Sequence, residues 1–169
     1  MPVHLLNINL ETDSLPAIAI GMERSTKDIL KEKPRNPSVG ILTPATMKQL
    51  GIQGILIAIV TMSAYFLGLK ESWAIATTMA FSTLCLSRLF HGFNCRSQRS
   101  LYRIGLFTNK YSILAFVIGF CFLNAILLWQ PLHSLFSVTT INMTQLFTIY
   151  GLALIPTALI QLGRMLRHR

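Results

Sequence analysis

Asn9, Thr12 and Asp13 stand at positions i, i+3 and i+4 of a mostly apolar stretch, Val3 to Met22. At about 100° per residue, that spacing brings an amide oxygen, a hydroxyl and a carboxylate into one sector of a helix. Oxygen donors with one negative charge form a ligand set for a hard cation. Pro16, three residues beyond Asp13, has no N–H to donate to the Thr12 carbonyl, which leaves that oxygen for an ion or for water. Together with Ser14 it predicts a local unwinding of the kind that builds ion sites at broken membrane helices. A polar patch that only hydrogen-bonds neighbouring helices is the other reading of the same residues. Asn7 and Glu11 form their own i, i+4 pair on nearly the opposite side, outside this sector.

The elements that must position these residues are written in the composition. Of 169 residues, 52% are hydrophobic and 12% charged, against roughly 25% charged in an ordinary soluble domain. The formal charge of +9 would suit nucleic acid, but 10 Phe and a mean hydropathy of +0.53 point to lipid instead, with the cations beside headgroups. No nucleic-acid partner is expected. The three cysteines, Cys85, Cys95 and Cys121, show no CxxC spacing and support neither a disulfide framework nor a zinc ribbon. His91 and Cys95 are an i, i+4 pair with no third ligand nearby. The opening segment lacks a basic start and carries Glu11 and Asp13, so it does not read as a cleavable signal.

Membrane helices need about 20 mostly apolar residues. Five such spans are expected, at about 3–22, 49–69, 72–93, 111–129 and 146–163, with cytoplasmic loops at 23–48 and 94–110, giving an all-α, five-helix transmembrane bundle. The uncharged stretch from Tyr111 to Gly163 is divided by a polar break that includes Gln130, Pro131, His133, Asn142 and Gln145. Lys70 to Ser72 reads as a tight outer turn joining the second and third spans into an antiparallel hairpin. Pro34, Pro37 and Pro44 predict an extended chain after a short helical piece over Thr26 to Lys33. Trp73 and Trp129 fall near span ends, as interfacial anchors do.

Charge sets the expected orientation. All but two of the 15 cations fall in the loop after the first span, in the loop after the third, or in the C-terminal tail, leaving Lys70 opposite and Arg88 inside a span. Cytoplasmic loops are enriched in Lys and Arg, so the N-terminus is expected outside and the C-terminus in the cytoplasm of a multi-pass cell-membrane protein. Arg88, five residues from the end of its span, is read either as a charge with a role inside the bundle or as a side chain snorkelling to the interface.

The run Ile8-Asn9-Leu10-Glu11-Thr12-Asp13-Ser14-Leu15-Pro16-Ala17, followed by Asp28-Ile29-Leu30 and Lys33-Pro34-Arg35, closely resembles the sixth membrane helix and following cytoplasmic loop of calcium-transporting P-type ATPases, whose pattern there is NLxTDxxPA, then DIM and a proline-arginine pair. Thr78-Met79-Ala80-Phe81-Ser82 is similar to the start of that family's eighth helix. Pro131 and Pro156 fall where its outer loop and tenth helix carry prolines. The resemblance thus spans helices six to ten. It implies that Asn9, Thr12 and Asp13 are ligands of transported Ca²⁺, with Asp13 the bridging carboxylate of the two-site pumps. Arg88 sits where those pumps carry a glutamate ligand on the eighth helix, which implies at most one calcium per cycle. Asn7 and Glu11 depart from the family's aromatic or aliphatic pattern.

The 169 residues contain no DKTGT phosphorylation motif and no nucleotide-binding loop. By resemblance, the chain is expected to be the C-terminal membrane part of such a pump, encoded as a fragment, with no ATP site and no ATPase activity by itself. Its expected partners are the remaining N-terminal portion and membrane lipid. The alternative is a free-standing or decayed helical membrane protein with a structural or partner-binding role.

Overall fold

The protein is described from a computed structural model, which covers residues 14–22, 43–96 and 109–167. Six helices follow one another in these segments: α1 (Leu15–Gly21), α2 (Pro44–Leu69), α3 (Trp73–Cys95), α4 (Lys110–Leu128), α5 (Gln130–Phe136) and α6 (Met143–Arg167). Among the described residues no strand occurs, and four helices, α2, α3, α4 and α6, are long and apolar enough to cross a membrane. This is a helical membrane bundle. The first expected span is described only from Ser14 onward, and the 23–42 loop with its expected Thr26–Lys33 piece lies outside the described residues.

Burial identifies the central element. Over their apolar windows α3 is 56% buried, against 17% for α2, 33% for α4 and 22% for α6, so the other long helices are arranged around α3. Its sequence explains this. Ala76, Thr78, Ser82, Thr83 and Ser87 are small and fully or almost fully buried, and small side chains let neighbouring backbones approach where lipid gives no hydrophobic drive for helix association. Thr78 and Ser82 donate back to the carbonyls of Ala74 and Thr78 at 2.9 and 2.7 Å, so these hydroxyls do not face the bundle unsatisfied. Leu86, Leu123, Ile126 and Ile149, all 2% exposed or less, fill the space between α3, α4 and α6.

The helix ends show where prolines and polar residues act locally. Pro44, expected to extend the preceding loop, instead opens α2: Thr43 is the N-cap, its hydroxyl accepting from Thr46 N at 3.3 Å, and proline fits the first helical turn because that N–H has no intrahelical partner anyway. Lys48 and Lys110, expected as loop cations, are therefore helical. The polar break at 130–145 holds a further short helix, α5, again opened by a proline in its first turn. It ends at Ser137, a non-glycine residue in the left-handed region (φ 50°), and His133 Nε2 lies 3.1 Å from the Leu127 carbonyl, folding α5 back on the end of α4.

The hairpin between α2 and α3 closes over three residues, Lys70 to Ser72. Both Glu71 N and Ser72 N donate to the Gly68 carbonyl, at 3.0 and 3.1 Å, and Ser72 caps α3 by accepting from Ile75 N at 3.2 Å. Gly68 lies against the backbone of Ala76. A Cβ at Gly68 would stand 2.5 Å from Ala76 Cα and 2.8 Å from Ala76 N. Gly68→Ala is expected to destabilise the bundle by about 1–3 kcal/mol, the usual cost of overpacking. By contrast, Gly151→Ala, where a Cβ meets nothing within 4 Å, is expected not to lower stability. Thermal unfolding of the two variants in the same detergent checks both.

Candidate functional site

A cavity of about 360 Å³ opens between α1, α2 and α3. Its walls are Pro16 on α1, Leu50, Gln53, Gly54 and Ile57 on α2, and Arg88, His91, Gly92 and Cys95 on α3. Most of the bundle is apolar, yet here an amide, a guanidinium, an imidazole and a thiol face one space. Gln53 is 7% exposed although it stands in the most exposed of the long helices, where it lines the cavity.

The α1 wall is shaped by the residues next to the predicted ligands. Ser14 lies in a π-helical turn and α1 proper begins at Leu15 with Pro16 in its first turn, so the helical type changes between Ser14 and Leu15. A π-turn of this kind is a frequent feature of functional sites. Gly92 lets α1 come close: a Cβ there would lie 3.3 Å from Pro16 Cβ. The other end of α1 is held by Asn109, whose Nδ2 donates to the Ala19 carbonyl at 2.9 Å.

Of the four residues singled out in the sequence, Arg88 is placed in the cavity, on the same space as Pro16. Asn9, Thr12 and Asp13 lie outside the described residues. Among the described residues no group of three His, Cys, Asp or Glu side chains could hold a metal, so the His91 and Cys95 pair gains no third ligand.

Directly behind the cavity, α3 is tied to α6 through Asn94, which is 1% exposed. Its Nδ2 donates to Thr157 Oγ1 at 3.3 Å and its Oδ1 accepts from Gln161 Nε2 at 2.5 Å. Arg164 Nη1 donates to the Asn94 backbone carbonyl at 2.9 Å, placing a cation on one of the last carbonyls of α3. Asn94, Gln53 and Asn109 escaped the sequence reading. A signal existed for two of them: an amide within an apolar 20-residue stretch at Gln53, and an Asn just ahead of an uncharged run, an N-cap signature, at Asn109.

Membrane-length helices packed around one central helix, with a cavity on one side of it, define a helical membrane domain. The chain belongs to the family described as cation transporting ATPase, C-terminus, whose profile matches residues 1–166. It is 33% identical over 163 residues to the calcium-transporting ATPase of Bacillus subtilis (strain 168), covering 95% of this chain and 18% of that protein. It is also 33% identical over 169 residues to calcium-transporting ATPase lmo0841 of Listeria monocytogenes, covering 99% of this chain and 19% of the relative. Against the human calcium-transporting ATPase type 2C member 1 it is 27% identical over 156 residues, covering 89% and 17%. The chain thus spans about a fifth of the length of the curated relatives it matches. It is a multi-pass membrane protein corresponding to the C-terminal membrane region of calcium P-type ATPases.

Removing the Asn94 side chain leaves Thr157 and Gln161 without their partner on α3. Asn94→Ala is expected to cost about 0.5–1.5 kcal/mol, the net worth of a typical intramolecular hydrogen bond, whereas Gln161→Met together with Asn94→Leu, which replaces the Asn94–Gln161 pair by apolar side chains, is expected to cost less than Asn94→Ala alone. Unfolding free energies measured by steric trapping in bicelles distinguish these outcomes.

Proposed function

We propose that this chain provides cation ligands to a calcium pump, with Asn9, Thr12 and Asp13 coordinating the transported ion and Arg88 standing in place of a second-site ligand. The family match across residues 1–166, to relatives named as calcium-transporting, carries this reading. The oxygen set at i, i+3 and i+4 supplies what Ca²⁺ requires. Pro16, in the first turn of α1, has no N–H to donate to the carbonyl of Thr12, which supports an oxygen left available beside those ligands.

Arg88 supports a single ion. A guanidinium has donors only and cannot coordinate a cation. It shares a cavity with Pro16, three residues from Asp13. Unit charges 4 Å apart repel by about 4 kcal/mol at an effective dielectric of 20, and a divalent ion doubles that figure. A second Ca²⁺ beside Arg88 is therefore disfavoured, while the Asp13 carboxylate remains available to the first.

In this reading the preceding portion of a P-type ATPase is the partner that handles ATP. Switching between its states would change the geometry of the ligands on this chain and so their affinity for the ion. The N-terminus faces outward and the C-terminus the cytoplasm. Charge at the two ends of the bundle supports that orientation. Arg164 at the end of α6 meets the end of α3, and Phe116 near the start of α4 packs on Phe90 and Phe93 of α3, which groups Lys48, Arg96, Lys110 and Arg164 at one end. At the other end Glu71, beside Lys70, accepts a hydrogen bond from Gln145 at 2.6 Å. Cations cluster on the cytoplasmic side of membrane bundles.

Grafted in place of the corresponding C-terminal region of the Bacillus subtilis relative, the chain is expected to support Ca²⁺-dependent phosphoenzyme formation, and Asp13→Asn to abolish it. Equal phosphoenzyme in the Asp13→Asn variant removes Asp13 from the ion site. In the same graft Arg88→Glu is expected to raise the Ca²⁺-to-ATP ratio or the apparent Ca²⁺ affinity, as read by ⁴⁵Ca²⁺ uptake into vesicles. Unchanged values for both leave Arg88 as an interface residue.

A further inference from the structure

The cavity beside Arg88 is lined by groups that donate. Its described walls carry one formal cation and no carboxylate; the polar side chains on them are Gln53, Arg88, His91 and Cys95. A guanidinium offers N–H groups only. His91 Nδ1 lies 3.5 Å from Asn94 Nδ2, an amide nitrogen that can only donate, so Nδ1 accepts and the ring proton belongs to Nε2, which leaves the imidazole a donor at its other nitrogen. Gln53, buried on the cavity wall, makes no hydrogen bond among the described residues. In a bilayer such an amide has to find its partner locally, since there is no water to supply one. An oxyanion accepts from all three side chains, and a phosphate suits them best because a guanidinium can give it two parallel N–H···O bonds.

The position of the cavity decides where a phosphate comes from. Leu50 follows Lys48 by two residues and Cys95 adjoins Arg96, so the cavity opens at the end of the bundle where Lys110 and Arg164 also stand. Arg88, His91 and Cys95, at i, i+3 and i+7, share one face of α3, and this polar wall runs inward from that end for about 10 Å of helical rise. On the α2 side the walls face outward: Leu50 is 48% exposed, and Gly54 is exposed with nothing within 4 Å of an added Cβ. A headgroup can therefore enter sideways from the adjoining leaflet while its acyl chains stay on the apolar outer surface of α2, where Ile55 and Ile59 are exposed. Basic pockets between membrane helices hold anionic headgroups in this way, and about 360 Å³ is within the usual range for a small-ligand site. We propose that this cavity binds the phosphate of an anionic phospholipid through Arg88, His91 and Gln53. Arg88 is shared with the proposed ion site, but Asn9, Thr12 and Asp13 take no part, so the lipid site does not rest on that reading.

The full chain in an uncharged detergent is titrated with dioleoyl phosphatidylglycerol, with dioleoyl phosphatidylcholine and with inorganic phosphate, and bound lipid is counted by native mass spectrometry. One phosphatidylglycerol is expected to bind saturably, roughly fivefold or more tighter than phosphatidylcholine, the worth of one nearby cation. Arg88→Gln, which removes the charge, and Gln53→Leu, which removes the amide, are each expected to weaken phosphatidylglycerol binding roughly tenfold, the size of one lost hydrogen bond to a charged group. Gly54→Leu, which narrows the cavity from α2 without touching a donor, is expected to weaken it as much. Circular dichroism in the absence of lipid reports whether each variant is folded; should Arg88→Gln not fold, Gln53→Leu and Gly54→Leu decide. Equal affinity for the two lipids, or phosphatidylglycerol affinity unchanged in all folded variants, overturns the site and is the result expected if a carboxylate of this chain fills the cavity instead. Inorganic phosphate is expected not to displace the lipid. Displacement at concentrations comparable to those of the lipid makes this a site for free phosphate and overturns the lipid assignment.

Discussion

A bilayer interior has no water to satisfy a stray donor or acceptor, so every polar group that a membrane bundle buries must find its partner within the protein. That constraint organises this chain around α3. Its hydroxyls bond back to their own helix, its last turn takes a guanidinium and two side chains from α6 through Asn94, and its first half is met by the Thr139 backbone N–H, which donates to Thr78 Oγ1 at 3.1 Å. Tyr150 on α6 likewise donates to Asn124 on α4. Among the described residues the hydroxyls of Thr83 and Ser87 are exceptions, fully buried without a hydrogen-bond partner. The helix richest in small polar residues is the one the others surround, because it is the one that must be shielded.

The same rule explains why polarity concentrates at two levels. At the end carrying Glu71 and Gln145, and at the opposite end carrying Asn94, Gln161 and Arg164, side chains bridge between helices. Between those levels the contacts are Leu86, Leu123, Ile126, Ile149 and the aromatic ladder from Phe90 through Phe116 and Phe120 to Tyr150. Hydrogen bonds fix register at the ends and packing fills the middle. The cavity interrupts this scheme among the described residues beside α1.

Helical membrane architecture was legible because charges and prolines punctuate the apolar stretches, and a stretch near 20 residues has few other fates. What escaped was local. Pro44 and Pro131 read as breaks because proline ends helices from within, but at a first turn the same ring begins one; the distinction depends on the N-cap, which Thr43 supplies and which sequence spacing alone did not weigh. Side-chain type and likeness to a family motif suggested candidate ligands at Asn9, Thr12 and Asp13, which lie outside the described residues, and singled out Arg88, which lines the cavity. The assembly of the cavity walls was not legible. Gln53, Arg88 and Pro16 come from three helices, and the Asn109 bond to Ala19 spans 90 residues, so no periodicity within one segment could reveal that they meet.

The crossing at Gly68 also has a mechanical meaning. The α2–α3 hairpin is pinned where Gly68 meets the Ala76 backbone, with a three-residue turn that leaves no slack for one helix to slide along the other. The cavity lies at the far, open tips of the same two helices, between Leu50–Ile57 and Arg88–Cys95. The hairpin is thus closed at its Gly68 end, and the space beside Pro16 stands at the opposite end, where Gln161 and Arg164 bind α3 to α6.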